Sequence, residues 1–176
     1  MPNQAASPAA LRQPLRPTRA PLYTPQERAR RDASVWTLIQ GVLAPVQFVV
    51  FLVSLVLVLR FLATGQGEQA AALSVLVKTL TLYTIMVTGC IWEKVVFDRW
   101  LFAPAFYWED MFSMLVLALH TAYLVAWFTG WLGTTQQMWL ALAAYASYAI
   151  NATQFILKLR AARLDHAARL ATGVAA

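Results

Sequence analysis

Four apolar runs constrain this chain more than any other feature. They fall at about residues 35–59, 73–96, 108–131 and 136–157, each interrupted by few charges. A helix needs about 20 apolar residues to cross the hydrocarbon core of a bilayer. In lipid the backbone must satisfy its own hydrogen bonds, which leaves helices or a closed barrel. The runs are too long for barrel strands, so the fold class is all-α: an integral membrane four-helix bundle. Charged residues make up only 12% of the chain, against about 25% in soluble domains. The net charge of +6 sits at the ends of the apolar runs and on the termini. That placement reports membrane orientation rather than a nucleic-acid partner. A single cysteine, Cys90, excludes an intrachain disulfide and a thiolate metal cage.

Residues 1–22 are rich in Pro, Ala and Arg and are expected to be a disordered tail. No apolar segment precedes Trp36, so no cleavable signal peptide is expected. The bundle domain is expected over 23–164, with a basic tail over 165–176. Thr24-Pro25-Gln26-Glu27 reads as a capping box with proline at the first helical position. It predicts a short amphipathic helix over 25–33 lying on the membrane surface. In the first span Gln40, Gln47 and Ser54 recur every seven residues and share a face, and Pro45 is a candidate kink. Residues 60–72 are expected to be a loop. In the second span Leu82, Met86 and Gly89 share the face of Glu93, while Lys78 is expected to snorkel toward the far interface. In the fourth span Asn151, Gln154 and Lys158 form another polar stripe.

Orientation follows from the basic residues. Twelve of the fourteen lie before the first span, between the second and third, or after the fourth. Four spans put those three regions on one side, which the positive-inside rule makes cytoplasmic. Both termini are therefore expected in the cytoplasm.

The chemistry concentrates between Trp92 and His120. Glu93 closes the second span, Glu109 and Asp110 open the third, and His120 lies eleven residues, about 16 Å of helix, further on. Ionisable groups at such depth are costly and usually kept for function. Glu109, Ser113, Val116 and His120 share one face, from which Asp110 is rotated away. The expected pocket has a carboxyl at its mouth and an imidazole near its floor. Each group also has a plainer use: Glu93 pairing with Lys94 or Arg99, Asp110 capping its helix, and Gln40, Gln47 and Asn151 joining helices. The aromatic residues between 97 and 108 suit an interfacial belt or a ligand platform.

Three blocks go further: YTPQERARRDASVWTLIQGVLAPVQF from Tyr23, YTIMVTGCIWEKVVFDRWLFAPAFYWEDMFSMLVLALHTAYL from Tyr83, and INATQFILKLRAARL from Ile150. They resemble the 3-vinyl (bacterio)chlorophyllide hydratase family, named 2-vinyl in older ring numbering, over about residues 23–164. The resemblance implies hydration of the ring A vinyl group of a chlorophyllide to a 1-hydroxyethyl group, a step toward bacteriochlorophyll. It implies a magnesium tetrapyrrole as substrate, no cofactor and no metal site of the protein's own. Contacts with other pigment-biosynthesis enzymes are expected in addition. For such a reaction Glu93 and Glu109 are the expected acid–base pair, with Asp110 in reserve. His120 would activate water or ligate the pigment's magnesium. Trp92, Phe106, Tyr107 and Trp108 would stack on the ring, and Asn151 is a further substrate-binding candidate. The alternative is a membrane pigment carrier or photosystem assembly factor without catalysis.

Overall fold

The computed structural model describes residues 21–171 and consists of five helices. Most of the expected disordered tail lies outside the described residues. Pro21 and Leu22 do not behave as tail: Leu22 packs against the cluster of Tyr23, Val96 and Phe106. α1 (Pro25–Ala33) starts with the full capping box, Thr24 Oγ1 accepting from the Glu27 N–H and Glu27 bonding back to the Thr24 N–H. It packs against α3.

The long helices are α2 (Val35–Thr64), α3 (Glu68–Phe97), α4 (Tyr107–Thr129) and α5 (Thr134–Ala171). All four are long and apolar enough to cross a membrane, which makes this a multi-pass membrane protein. α2 continues as helix through Pro45. The loop expected over 60–72 shrinks to three residues, because apolar residues carry α2 on to Thr64 and Glu68 already opens α3. Gly65 takes φ 70° and closes α2 by donating its N–H to Phe61 O. Only a residue without Cβ adopts that conformation cheaply. At the other end α5 stays helical past the expected boundary at 157, through the basic segment to Ala171.

α2 and α3 form one hairpin, α4 and α5 another, and contact within each hairpin exceeds contact between them. On α2 the buried residues Gln47, Phe51, Ser54, Val58 and Phe61 alternate three and four apart, which is a coiled-coil seam. The hairpins meet in the half of the bundle near their turns. There Phe51, Val58, Val75, Tyr123, Met138 and Tyr145 form the core, and Thr134 bonds Glu68 across the turns. Toward the α3–α4 connection the hairpins part, and a cavity of about 820 Å³ opens between them.

Candidate active site

The cavity owes its position to that divergence. Its walls come from α2 (Gln40, Gly41, Ala44), α3 (Met86, Gly89, Trp92, Glu93), α4 (Asp110, Ser113) and α5 (Asn151, Phe155, Leu159). Leu82, Val116 and Tyr148 lie deepest, and Tyr23, Arg28, Arg31 and His166 surround the outer end. Its volume falls within the roughly 300–1,000 Å³ usual for small-molecule sites.

Two carboxyl groups meet on one wall. Glu93, 6% exposed, and Asp110, 4% exposed, are within hydrogen-bonding reach of each other. The α3–α4 connection holds them there. Phe102, in the left-handed region at φ 58°, donates its N–H to Asp110 Oδ2 at 2.9 Å. The next residue, Ala103, donates to Glu93 Oε2 at 3.2 Å. Successive N–H groups aimed the same way around a left-handed residue form an anion-binding concavity. A residue with a Cβ is uncommon in that conformation, and here two carboxyls satisfy the donors it exposes. Two carboxyls this close can share one proton between them. Such a wall can offer both a proton donor and a proton acceptor.

This differs from the sequence expectation of Glu93 with Glu109. Glu109 Oε2 instead accepts from Lys158 Nζ at 2.6 Å on α5, and Glu109 is not among the cavity-lining residues. One residue along a helix is a rotation of about 100°, so the choice of facing carboxyl depends on how the connection enters α4. Nor does Glu93 pair with Lys94, which is taken by Asp98 at 2.6 Å. That neighbour holds the exposed Asp98 carboxyl below its ordinary range.

The other candidates divide. Trp92 lines the cavity and its Nε1–H donates to Thr37 Oγ1 at 2.9 Å. Phe106 also lines it, stacked on Phe155 and edge-on to Trp92. Tyr107 and Trp108 do not: they are 45% and 70% exposed and pack on one another on the outer surface. They suit the belt reading, not the ring-stacking one. Asn151 lines the cavity, donates to Ser113 Oγ at 2.8 Å and keeps its Oδ1 without a hydrogen-bond partner among the described residues.

His120 lies beyond the floor, fully buried, and is not a lining residue. Its Nδ1–H donates to Val116 O at 2.8 Å, so that nitrogen carries the proton, and its ring packs near Tyr145. Its Nε2 has no hydrogen-bond partner among the described residues. Lys78 does not snorkel. It is fully buried, its Nζ 3.5 Å from the Tyr148 ring centre, because α3 turns this face into the bundle.

Sequence reasoning missed Tyr23, which is 4% exposed and stacked on Phe97. Burial pushes its phenol up from the ordinary value, against the pull of Arg31. No periodicity marks Tyr23, since it precedes the first cap. Among the described residues no three His, Cys, Asp or Glu side chains gather as a metal cage.

The profile of 2-vinyl bacteriochlorophyllide hydratase (BCHF) matches residues 23–161, most of the chain. The chain belongs to the 2-vinyl bacteriochlorophyllide hydratase family. A relative of that name from Rhodobacter capsulatus is 66% identical over 154 residues, covering 88% of this chain and 90% of the relative. Another, from Cereibacter sphaeroides, is 67% identical over 144 residues, covering 82% and 89%. No solved structure matches the chain. The stretch matched to the hydratase family includes Tyr23, both wall carboxyls and the cavity floor, and ends before Arg163 and His166.

Proposed function

We propose that this chain adds water to the ring A vinyl group of a chlorophyllide-type tetrapyrrole, giving a 1-hydroxyethyl group, with Glu93 and Asp110 as the acid–base pair. The contact between those two carboxyls on the wall of an apolar cavity carries the reading. Membership of the hydratase family supports the substrate class.

The reaction needs one proton given and one taken back. The protonated member of the pair gives its proton to the terminal vinyl carbon. This leaves a cation on the carbon attached to the macrocycle, where conjugation spreads the charge. The pair, now doubly anionic, faces that cation and stabilises it in a site poor in water. Water adds to the cationic carbon, and the other carboxylate takes its proton. The pair thus regains its starting state, and the substrate gains one water with no net oxidation or reduction. No redox cofactor is required, and the magnesium belongs to the pigment. Trp92, Phe106 and Phe155 offer flat apolar contact to the ring, and Asn151 offers a free carbonyl oxygen deeper in. Glu109 and Lys158 form a neighbouring ion pair that keeps a further charge out of the cavity.

The basic end of the bundle faces the cytoplasm of a bacterial inner membrane in this reading, so water enters from there and the pigment slides in from the leaflet. Neighbouring enzymes of the same pigment route would meet the protein on that side. The test is mass. Detergent-purified protein given a vinyl chlorophyllide in D2O yields a product heavier by one water, with one deuterium in its new methyl group. A pigment carrier would shift the absorption band and leave the mass unchanged.

A further inference from the structure

The polar stripe of α2 changes character at its middle member. Gln40 donates to Thr88 Oγ1 at 2.7 Å and Ser54 bonds Ser74 at 2.7 Å, so both join α2 to α3. Gln47, between them on the same face, does not. It is 2% exposed and lines the cavity, and neither its Nε2 nor its Oε1 has a hydrogen-bond partner among the described residues. Asn151 on α5 is half engaged. Its Nδ2 donates to Ser113 Oγ at 2.8 Å, while the Ser113 hydroxyl proton goes to Glu109 O at 2.9 Å. Ser113 is left only as an acceptor for Asn151, which fixes the amide with its nitrogen toward α4 and makes Oδ1 the unpartnered atom. Ser113 follows Asp110 by three residues, about 4.5 Å of helix. Asn151 is thereby tethered about one turn deeper than the carboxyl wall. Keeping a buried amide without a partner is costly. Lys78 Nζ, His120 Nε2, the Tyr123 hydroxyl and Gln154 Oε1 are unpartnered too, but those residues do not line the cavity.

We propose that Gln47 and Asn151 hold the water that attacks the vinyl-derived cation, so that these two amides decide whether protonation ends in hydration. The inference rests on the hydratase reading above. A water molecule has two protons and two lone pairs. Gln47 Nε2 donates to one lone pair, Asn151 Oδ1 accepts one proton, and a carboxylate of the wall accepts the other. The remaining lone pair faces the cation. Its electrons form the new C–O bond, and the O–H bond toward the carboxylate breaks as its proton moves there. Amides suit this place because they neither give nor take a proton near neutrality and carry no charge to repel the cation. A cation with no water held beside it has another exit. A proton leaves the new methyl group for the carboxylate pair, and the vinyl group is restored.

That exit makes the role measurable. Detergent-purified protein is given a vinyl chlorophyllide in D2O, and initial rates of two products are read by mass: hydrated pigment, and recovered substrate with deuterium on its terminal vinyl carbon. Gln47→Met and Asn151→Leu are compared with the wild type, with Gln154→Leu as the control, and pigment binding by each is read from quenching of tryptophan fluorescence. In both cavity variants kcat for hydration falls about tenfold with KM little changed, and deuterated vinyl per hydrated product rises about tenfold. The control keeps the wild-type ratio. Each substitution removes a different bond to the water, so either variant that binds pigment decides the matter. A ratio that stays unchanged, whether both products fall in step or neither does, overturns the proposal. So does the same rise in the control. A raised KM at an unchanged ratio assigns the amides to a polar group of the pigment and also overturns it. A wild type that binds pigment and yields neither product would sink the hydratase reading, and this inference with it.

Discussion

Lys78 is the most expensive side chain in the bundle. It is fully buried and its Nζ has no hydrogen-bond partner among the described residues, only the faces of Tyr148 and Phe51. Cation–π contact with a desolvated ring returns about 2 kcal/mol, less than the several kcal/mol that burying an ammonium costs. Lys78→Met, of similar length, is therefore expected to stabilise the detergent-solubilised protein by about 1–3 kcal/mol, a rise in Tm of roughly 2–4 °C per kcal/mol. Thermal unfolding measures it, and a fall in Tm would mean that the ammonium is used. Individual side chains are also where the sequence is least legible. That Glu93, Asp110 and His120 are buried follows from their place in apolar runs. That Asp110, not Glu109, meets Glu93 depends on left-handed turns at Asp98 and Phe102, residue types that give no warning of such backbone.

At the scale of elements, the pattern of apolar runs with polar residues every three, four or seven positions carries most of the fold. Thr24 caps α1 as its capping box requires, and Gln40 bonds Thr88 at 2.7 Å across α2 and α3 and Ser54 bonds Ser74 at 2.7 Å, as a polar stripe facing a neighbouring helix requires. The errors lie where apolar text continues past the bilayer, as in 60–64, or where polar text stays helical by propensity and packing, as in α5 beyond 157. Pairing within hairpins leaves the cavity wherever small residues line the gap. Gly89 is such a residue: a Cβ there would meet nothing nearer than Gln40 at 3.9 Å. Gly89→Leu should fold, yet fill part of the cavity and raise KM for the pigment about tenfold or more. Tm and pigment titration of the variant check both halves, and unchanged affinity would place the pigment elsewhere.

For the whole molecule, the basic α1, the basic end of α5 and the basic α3–α4 connection lie at one end of the bundle and the two short turns at the other. In a Cys90→Ser background, Asp98→Cys should be shielded from a membrane-impermeant thiol reagent in intact spheroplasts and labelled in inverted vesicles. Gln66→Cys should behave oppositely, both positions being exposed. The reverse pattern would turn the cavity mouth away from the cytoplasm.

The three buried carboxylates at the α3–α4 end separate this geometry from every simpler reading, and comparing them side by side is the most direct measurement. Glu93→Gln, Asp110→Asn and Glu109→Gln are reconstituted, shown to bind vinyl chlorophyllide, and assayed for hydrated product by mass under single-turnover conditions. The first two should bind pigment and lose about 10²–10⁴-fold in rate, while Glu109→Gln keeps its rate within about tenfold. Loss of hydration in Glu109→Gln with Glu93→Gln and Asp110→Asn still active would contradict the account.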